Sequence, residues 1–382
     1  MSASPAPAPR MAGRMVLLTG ATSGVGLAAV SAFAREGCVL ALIARNEVAL
    51  AEAAEQARAL GAVAHPLVAD LTVRDEVATA VAEAVARMGG LDVVVSNAAG
   101  TVFGHFLEVE PEDFDRSVEV TFTGAVNVVR ATLGELRASR GTIVATGSVM
   151  ATVPLPTFSS YAAAKHALRG FLKSVSIEER EQGTGVRVSM VHPGPIDTPL
   201  FSRTVSATGR KPRIAPDAYR PEVVAQALVE TAVDPRPERI LGGGYRVLVA
   251  AYHVVRPVTE RVLVLVDRWY RSGQEPAASP GALRQPTGHA TLSGGQPGRD
   301  SLLAAASFGR RLVPDARTPL HLARNLTTTA RGAFATRRQL MHPVAEPPEN
   351  ALPRHARRAA RDRPSARGPR TQAAGPLDPH GR

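Results

Sequence analysis

The sequence predicts a doubly wound α/β fold, in which helices cover both faces of a parallel sheet. Over roughly residues 12–245, short apolar runs alternate with alanine-rich stretches of helical periodicity. Such alternation is typical of parallel strands joined by crossover helices, and nearly continuous apolar runs are expected where a sheet is buried on both faces. The predicted strands are 15–19 (MVLLT), 38–43 (CVLALI), 62–68 (AVAHPLV), 92–96 (DVVVS), 141–146 (GTIVAT) and 186–191 (VRVSMV).

Composition divides the rest of the 382-residue chain. After Gly244, the sequence YRVLVAAYHVVRPVTERVLVLVDRWYR predicts two short apolar helices broken at Pro257. These helices either pack on the body or line a pocket with Val247, Leu248, Tyr252, Val262 and Trp269. From about Ser272 onward Pro, Gly, Arg and Ser dominate, which predicts little packed structure. The predicted parts are a disordered leader (1–13), the α/β domain (14–245), a helical extension (246–271) and a largely disordered tail (272–382).

The formal net charge of +11 comes almost entirely from the predicted tail. Residues 272–382 contain 17 Arg and 7 acidic residues, which leaves 28 basic and 27 acidic residues in the rest of the chain. A nearly neutral body gives no electrostatic reason to expect a specific nucleic-acid partner. A basic tail can bind nucleic acid or anionic membranes, and this alternative stays open. The tail lacks the lysine clusters and interleaved aromatic residues that are typical of such arms.

Other features of the whole chain favour a cytoplasmic protein. No run of about eighteen apolar residues predicts a transmembrane segment, and the N-terminal MSASPAPAPR lacks the apolar core of a secretory signal. The single cysteine, Cys38, cannot form an internal disulfide. Because it lies in an apolar run, we expect a buried, unreactive thiol. No cluster of residues with metal-ligand spacing stands out in the sequence, so we expect no metal.

Gly20, Gly24 and Gly26 follow the first predicted strand, where the chain turns into an alanine-rich helix. Glycine lets the backbone approach a pyrophosphate closely, and the unpaired N–H groups at the start of a helix stabilise its negative charge. An ordinary tight turn could use the same residues. The position after the first strand of an α/β alternation nevertheless favours a dinucleotide site.

The end of the second predicted strand indicates which dinucleotide is bound. A carboxylate at this place selects NAD by binding the ribose 2′-hydroxyl, but this sequence has Ala44 followed by Arg45. A guanidinium can hold a 2′-phosphate with two hydrogen bonds. We therefore predict NADP(H) as the preferred cofactor and leave NAD(H) open. A solvated arginine is the alternative interpretation of Arg45.

Ser148 follows the fifth predicted strand, and Tyr161 and Lys165 begin a helix thirteen residues later. Residues four apart share one face of a helix, so the lysine ammonium is expected near the phenol. An unperturbed tyrosine has a pKa of about 10, and a nearby cation lowers that pKa toward the range of a useful acid or base. On this interpretation Tyr161 protonates a carbonyl oxygen, Lys165 lowers the pKa of Tyr161, and Ser148 hydrogen-bonds the substrate oxygen.

Taken together, these motifs resemble the short-chain dehydrogenase/reductase family over roughly residues 14–245. The family's T-G-x-x-x-G-x-G reads TGATSGVG at 19–26. The resemblance implies a Rossmann-type fold and a loop, PGPIDT at 193–198, that closes on the nicotinamide. The cofactor-binding residues that it implies are Thr19, Gly20, Ser23, Gly24, Val25, Gly26, Arg45, Asp70, Leu71, Asn97, Ala98, Tyr161, Lys165, Pro193, Gly194, Ile196 and Thr198.

Two positions depart from the family pattern. The family's N-N-A-G reads Ser96-Asn97-Ala98-Ala99, which keeps Asn97 and adds a methyl group at Ala99. Thr121 stands where the family usually has an asparagine that supports a water molecule and the lysine. A threonine hydroxyl offers a donor and acceptors, so Thr121 is a fourth candidate catalytic residue, acting in proton relay. The alternative is that its hydroxyl binds the backbone.

The resemblance implies an oxidoreductase that moves a hydride between NADP(H) and a small alcohol or ketone, which we expect to be lipophilic. A pattern after residue 95 is similar to a bacterial branch of the family with an extra C-terminal helical region. The family often forms dimers or tetramers, so a homo-oligomer is expected. The alternative from another functional class is a nucleotide-binding scaffold or regulator that keeps the fold and has lost useful catalysis. Intact Ser148, Tyr161 and Lys165 argue against that alternative.

Overall fold

A computed structural model describes residues 9–213, 215, 218–272, 281, 283–285 and 288–294. The strands of this part of the chain are β1 (Met15–Thr19), β2 (Val39–Ala44), β3 (Val63–Val68), β4 (Val93–Ser96), β5 (Val102–Phe103), β6 (Thr142–Thr146), β7 (Arg187–His192), β8 (Val205–Ser206) and β9 (Glu238–Ile240). Seven of them form one sheet in the order β3-β2-β1-β4-β6-β7-β9, and every pairing in it is parallel. The predicted doubly wound parallel sheet is thereby confirmed.

All six strands predicted from apolar runs belong to this sheet. The seventh strand, β9, escaped prediction because its three residues, Glu238-Arg239-Ile240, contain no apolar run. The two-residue strands β5 and β8 also escaped prediction, and they pair with each other outside the main sheet. Short strands of this kind are recognised only from their tertiary pairing.

Helices occupy the connections between the strands. They are α1 (Gly24–Arg35), α2 (Glu47–Ala59), α3 (Arg74–Met88), α4 (Pro111–Val118), α5 (Gly124–Ser139), α6 (Ser159–Glu181), α7 (Pro199–Ser202), α8 (Pro221–Val233), α9 (Gly243–Val254) and α10 (Arg256–Tyr270). In the described residues, no helix combines the length and the low charge content that crossing a membrane requires.

The two faces of the sheet bury separate apolar cores, because successive side chains of a strand point to opposite sides. On β1, Val16 and Leu18 pack with residues of α1 and α8. Leu17, between them, packs with residues of α3, α5 and α6. All three side chains are fully buried. This two-sided burial is why the strands read as nearly continuous apolar runs.

The strand order reverses between β1 and β4, which places a crevice at their carboxyl ends. From β1 the chain proceeds outward to β2 and β3, and it then returns to β4 on the other side of β1. In doubly wound sheets, ligands bind in the crevice at this reversal. Thr19 ends β1 and Ser96 ends β4, so the segments that follow these two residues border the crevice.

Helices α9 and α10 pack over the segments near this crevice. Pro257 lies in the first turn of α10, where a missing N–H costs no helical hydrogen bond. The inner side of α10 contributes Leu263 and Tyr270 to a third apolar cluster with Phe103 and Phe158.

Part of the predicted disordered tail packs on the body. We call residues 281, 283–285 and 288–294 the crossing segment. Thr291 forms a parallel bridge with Ser23, and the Ser293 hydroxyl donates a hydrogen bond to the Asp197 carboxylate. The prediction of disorder therefore does not hold for these residues. The rest of the predicted tail and residues 1–8 of the predicted leader lie outside the described residues.

Candidate active site

A cavity of about 350 Å³ lies at the crevice and collects most of the predicted site residues. Its walls come from the loops that follow β1, β2, β3, β4, β6 and β7, together with α6, α9 and α10. The predicted residues that line it are Gly20, Ser23, Gly24, Val25, Arg45, Asp70, Leu71, Asn97, Ala98, Ser148, Tyr161, Lys165, Pro193, Gly194, Ile196 and Thr198. Thr19, Gly26 and Thr121 do not line the cavity, but each of them contacts a residue that does.

The glycine turn is a close-packed cradle at the start of α1. Gly20 and Gly24 have φ values of +65° and +51°, in the left-handed region that favours glycine. A Cβ atom on Gly26 would lie 1.9 Å from the Gly20 carbonyl oxygen, so no larger residue fits there. Gly20 and Gly24 therefore let the backbone at the start of α1 border the cavity, where the Gly24 N–H donates to the Thr291 carbonyl oxygen at 2.9 Å. These residues fit a dinucleotide pyrophosphate.

Thr19 and Asn97 connect the glycine turn to the loop after β4. The Thr19 side-chain oxygen accepts a hydrogen bond from the Asn97 N–H at 3.0 Å. The Asn97 side chain donates to the Gly20 carbonyl oxygen and accepts from the Thr146 hydroxyl. Asn97 therefore joins the ends of β1, β4 and β6. Thr19 is fully buried and positions this loop without reaching the cavity.

Arg45 lies where the sequence predicts the adenosine ribose, in a group of charges. Its guanidinium is 3.9 Å from the Asp70 carboxylate, which also binds Arg116. Burial lowers the pKa of Arg45, and the charge of Asp70 opposes this effect. Burial alone would raise the pKa of Asp70, but hydrogen bonds from Thr72 and Arg116 hold it below its usual range. Both side chains are therefore ionised near neutral pH, and Arg45 can offer charged donors to an anion.

Ser148 and Tyr161 meet at the cavity. Ser148 precedes a short 3₁₀ turn after β6, where its side-chain oxygen accepts from the Met150 N–H at 3.0 Å. Tyr161 lies in the first turn of α6, and its phenol is hydrogen-bonded with Ser148. Lys165, one turn later, is almost completely buried, and its Nζ donates to the Thr146 carbonyl oxygen at 2.7 Å. The spacing of the three residues therefore predicted their association.

The ionisation of Tyr161 and Lys165 differs from the sequence-based expectation. Burial raises the pKa of Tyr161 to about 12, although its hydrogen bond with Ser148 acts in the opposite direction. Burial also lowers the pKa of Lys165 to about 7. The Lys165 ammonium lies 5.6 Å from the centre of the Tyr161 ring and does not bring the phenol toward neutrality. The expectation of a lowered phenol pKa was wrong, because spacing along a helix does not report desolvation.

Thr121 binds the backbone of the loop after β4. It lies in a π-helical turn, Glu119–Thr123, between α4 and α5. Its hydroxyl donates to the Gly100 carbonyl oxygen at 3.0 Å and accepts from the Gly100 N–H at 2.9 Å. Thr121 is fully buried, so these contacts fix the conformation of Gly100 beside the cavity. This is the backbone-binding alternative that the sequence left open.

The loop after β7 contacts the C-terminal helices. A Cβ atom on Gly194 would lie 2.3 Å from the Tyr245 ring, so the aromatic side chain of α9 packs directly on this backbone. Ile196 forms a parallel bridge with Tyr219, which fixes the other end of the loop. Thr198 packs its side chain beside Gly24, where a Cβ atom would come within 2.9 Å. The loop therefore approaches the glycine turn across the cavity.

Several functional contacts had no signal in the sequence. Thr157, two residues before α6, has a φ of +63°, which is strained for a β-branched residue. Its hydroxyl donates to the buried Asp267 carboxylate of α10 at 2.6 Å. His192, at the end of β7, places Nδ1 3.0 Å from the Ser148 carbonyl oxygen. Because a carbonyl oxygen only accepts, Nδ1 carries a proton and supports the backbone of Ser148.

Part of the cavity wall is apolar. It is formed by Met150, Val153, Leu155, Phe201, Leu248, Leu263 and Val266. Among the residues of the C-terminal helices named from the sequence, only Leu248 lines the cavity. Tyr252 and Trp269 pack in the third apolar cluster, whereas the side chains of Val247 and Val262 are exposed.

Comparison with known proteins gives concordant matches. The family model described as short chain dehydrogenase matches residues 14–208. The chain is 30% identical over 253 residues to the uncharacterized oxidoreductase YxnA of Bacillus subtilis (strain 168), an alignment that covers 65% of this chain and 71% of that protein. It is 35% identical over 202 residues to glucose 1-dehydrogenase of Gluconobacter oxydans (strain 621H), with coverage of 51% and 74%.

A solved structure is similar as well. It is the alcohol dehydrogenase of the archaeon Thermococcus sibiricus complexed with 5-hydroxy-NADP. The superposition has a TM-score of 0.54 at 26% identity, and it covers 60% of this chain and 95% of that one. The matched share agrees with the extent of the α/β sheet described above.

Proposed function

The chain belongs to the short-chain dehydrogenase family and is an oxidoreductase of that kind; from this premise we propose that it transfers a hydride between NADP(H) and a lipophilic alcohol or ketone. The observation that carries the proposal is the meeting of Ser148 and the protonated Tyr161 at a cavity that also holds the glycine turn. A proton donor, a second hydroxyl and a pyrophosphate cradle within one cavity match carbonyl reduction and its reverse.

Each residue of the site has a specific task in this proposal. Tyr161 keeps its proton at neutral pH and donates it to the carbonyl oxygen of a substrate, so that an alcohol forms. Ser148 donates a hydrogen bond to the same oxygen and stabilises the negative charge that develops on it. Lys165, held by the Thr146 carbonyl oxygen, orients the neighbouring ribose and phenol. The nicotinamide, when bound, supplies or accepts the hydride.

Arg45 supports the preference for NADP(H). The strand end beside it carries Ala44 in place of an acidic residue, and the guanidinium keeps its charge in a partly buried position. A charged, planar donor suits a 2′-phosphate, and the Asp70 carboxylate holds the guanidinium near the expected ribose position. The similarity to an alcohol dehydrogenase complexed with 5-hydroxy-NADP supports the same proposal.

The apolar part of the cavity lining supports a lipophilic substrate. Met150, Leu155 and Phe201 line the same cavity as Ser148 and Tyr161, and burial of apolar surface there would stabilise binding of a hydrophobic alcohol or ketone. The expectations of a homo-oligomer and of a cytoplasmic location stay predictions.

The experiment that tests the function begins with NADPH and NADH titrations of the purified protein, followed by a screen of apolar ketones. Tyr161→Phe removes the proton donor and leaves the cradle intact. We expect turnover to fall by at least about 10²-fold while NADPH affinity is kept. Full activity of Tyr161→Phe would contradict the proposed role. Cofactor binding without turnover of any ketone or alcohol would favour the scaffold alternative.

Arg45→Ala tests the cofactor preference. Loss of charged hydrogen bonds to a 2′-phosphate should weaken NADPH binding relative to NADH binding by roughly tenfold or more. The matched control is Arg58→Ala on α2, whose guanidinium binds Glu55 and the Ala64 carbonyl oxygen outside the cavity. An unchanged ratio of the two affinities in Arg45→Ala would show that Arg45 does not select the cofactor.

A further inference from the structure

The crossing segment contacts the groups that the proposed function assigns to the dinucleotide. The Thr291 carbonyl oxygen accepts from the Gly24 N–H at 2.9 Å, and the Thr291 N–H donates to the Thr22 carbonyl oxygen at 3.2 Å. Gly24 is the first residue of α1, so the segment binds the helix start that would face a pyrophosphate. A backbone N–H has one hydrogen and makes one good bond at a time.

Leu283 occupies the adenosine end of the same groove. Its side chain is 5% exposed and lies directly on Gly100, where a Cβ atom would come within 2.4 Å of Leu283 Cδ1. Its carbonyl oxygen accepts from Arg45 Nη1 at 3.1 Å. In the proposed function, the adenine base would take the place of the Leu283 side chain, and the anionic 2′-phosphate would take the place of its carbonyl oxygen on Arg45.

Other contacts hold the crossing segment from outside the cavity. Glu52 on α2 accepts from the Ala290 N–H at 2.8 Å, and its other carboxylate oxygen lies 2.6 Å from His289 Nδ1. Asp113 on α4 accepts from Arg284 Nε at 2.7 Å. Neither Glu52 nor Asp113 lines the cavity. The segment is therefore fixed by interactions that a bound cofactor would not use.

We infer that the crossing segment is an internal ligand of the cofactor groove, which competes with the dinucleotide for the Gly24 N–H, for Arg45 and for the space beside Gly100. The inference rests on the proposed function, because it takes the groove to be the dinucleotide site. Only molecules whose segment has withdrawn bind the cofactor, so the apparent affinity equals the intrinsic affinity multiplied by the fraction of withdrawn molecules. The crossing segment thus sets the cofactor concentration at which the enzyme works.

The test uses the full chain and weakens the segment at its outer contacts. Glu52→Ala combined with Arg284→Ala removes the contacts of Glu52 and Asp113 with the segment, keeps those of Asp197, and leaves every cavity-lining residue in place. We expect NADPH to bind about five- to tenfold more tightly to this double variant, because three hydrogen bonds no longer hold the segment. Glu55→Ala, one helical turn further along α2, is the matched control, because Glu55 contacts Arg58.

The sign of the change decides among the outcomes. If the double variant binds NADPH more weakly, the segment clamps the cofactor and the inference is overturned. Equal affinity overturns it as well, and in both cases the proposed function stands. If neither protein binds NADPH or NADH, the proposed function fails and this inference falls with it.

Hydrogen exchange of the unmodified chain gives an independent readout. The Ala290, Thr291 and Gly294 N–H groups donate to Glu52, to the Thr22 carbonyl oxygen and to Asp197. Saturation with NADPH should displace the segment and accelerate exchange of these three amides. Slower exchange in the presence of NADPH would overturn the inference.

Discussion

Lys165 is a buried amine whose effect on stability depends on pH. Its pKa in the folded protein is about 7, below the ordinary value of 10.5, because burial disfavours the ammonium. Between these two values the unfolded chain binds more protons than the folded protein, so the free energy of unfolding rises with pH. Below about pH 7 both states are protonated and the destabilisation is at its full size. Tyr161, with its raised pKa, stays protonated throughout this window.

Lys165→Met should remove this dependence. Each pKa unit corresponds to about 1.4 kcal/mol, so the variant is expected to be more stable than the natural protein near pH 7 by several kcal/mol. The difference should shrink to less than about 1 kcal/mol near pH 10, close to the pKa of the unfolded chain. Urea unfolding at the two pH values measures it. Lys173→Met on the same helix is the control, because Lys173 is half-exposed and pairs with Glu238. A difference that is the same at both pH values would contradict the burial of a neutral amine.

The two hydrogen bonds between Thr121 and Gly100 allow a structural role of Thr121 to be distinguished from a role in proton transfer. Thr121→Val leaves the buried Gly100 N–H without the hydroxyl that accepts from it, which is expected to cost about 1–3 kcal/mol of stability. The loosened loop should weaken NADPH binding, and the pH profile of kcat should not move. Thr121→Ser keeps the hydroxyl and should restore both properties. A lower kcat at unchanged NADPH affinity would instead support proton relay through Thr121.

At the scale of elements, α10 completes the corner from which the catalytic helix starts. Asp267 holds the Thr157 hydroxyl, and Thr157 adopts its strained conformation two residues before α6. Phe158 packs between Phe103, Phe201 and Tyr270 in the same corner. The position of Tyr161 in the first turn of α6 therefore depends on a helix that lies outside the αβ alternation. Strained residues persist where surrounding contacts determine them.

Asp267→Ala should release this corner. We expect kcat to fall on the order of tenfold, since a small displacement of a catalytic group greatly lowers the rate of the chemical step. NADPH affinity should be nearly unchanged, because Asp267 does not line the cavity. Glu260→Ala is a suitable control on the same helix, where Glu260 pairs with the exposed Arg256. Loss of cofactor affinity equal to the loss of kcat would indicate general unfolding.

At the scale of the whole molecule, local chemistry decided what could be predicted. Spacing along the chain predicts the relative positions of the glycines at a strand end, and of a tyrosine and a lysine one helical turn apart. The structure brings these residues to one cavity. The sheet was predictable because burial on both faces makes its strands uniformly apolar. These are properties of short stretches of sequence.

The features that escaped prediction depend on contacts between distant residues. The ionisation of Tyr161 and Lys165 follows from burial, which appears only when the sheet and α6 have packed. In the sequence, nothing distinguishes Asp267 from other acidic residues of a helix, and its role follows from its contact with Thr157. The contacts of the crossing segment with Arg45 and Gly24 use backbone atoms of Leu283 and Thr291, which leave no side-chain pattern in the sequence.

The bond between Thr157 and Asp267 also has a consequence for the order of synthesis. The two residues are 110 positions apart in the chain. At about 5–20 residues per second, a ribosome needs several seconds or more to proceed from one to the other. During that interval the nascent chain already contains Ser148, Tyr161 and Lys165 but lacks the carboxylate that holds the corner before α6. The candidate catalytic residues are therefore synthesised several seconds before the part of α10 that completes their site.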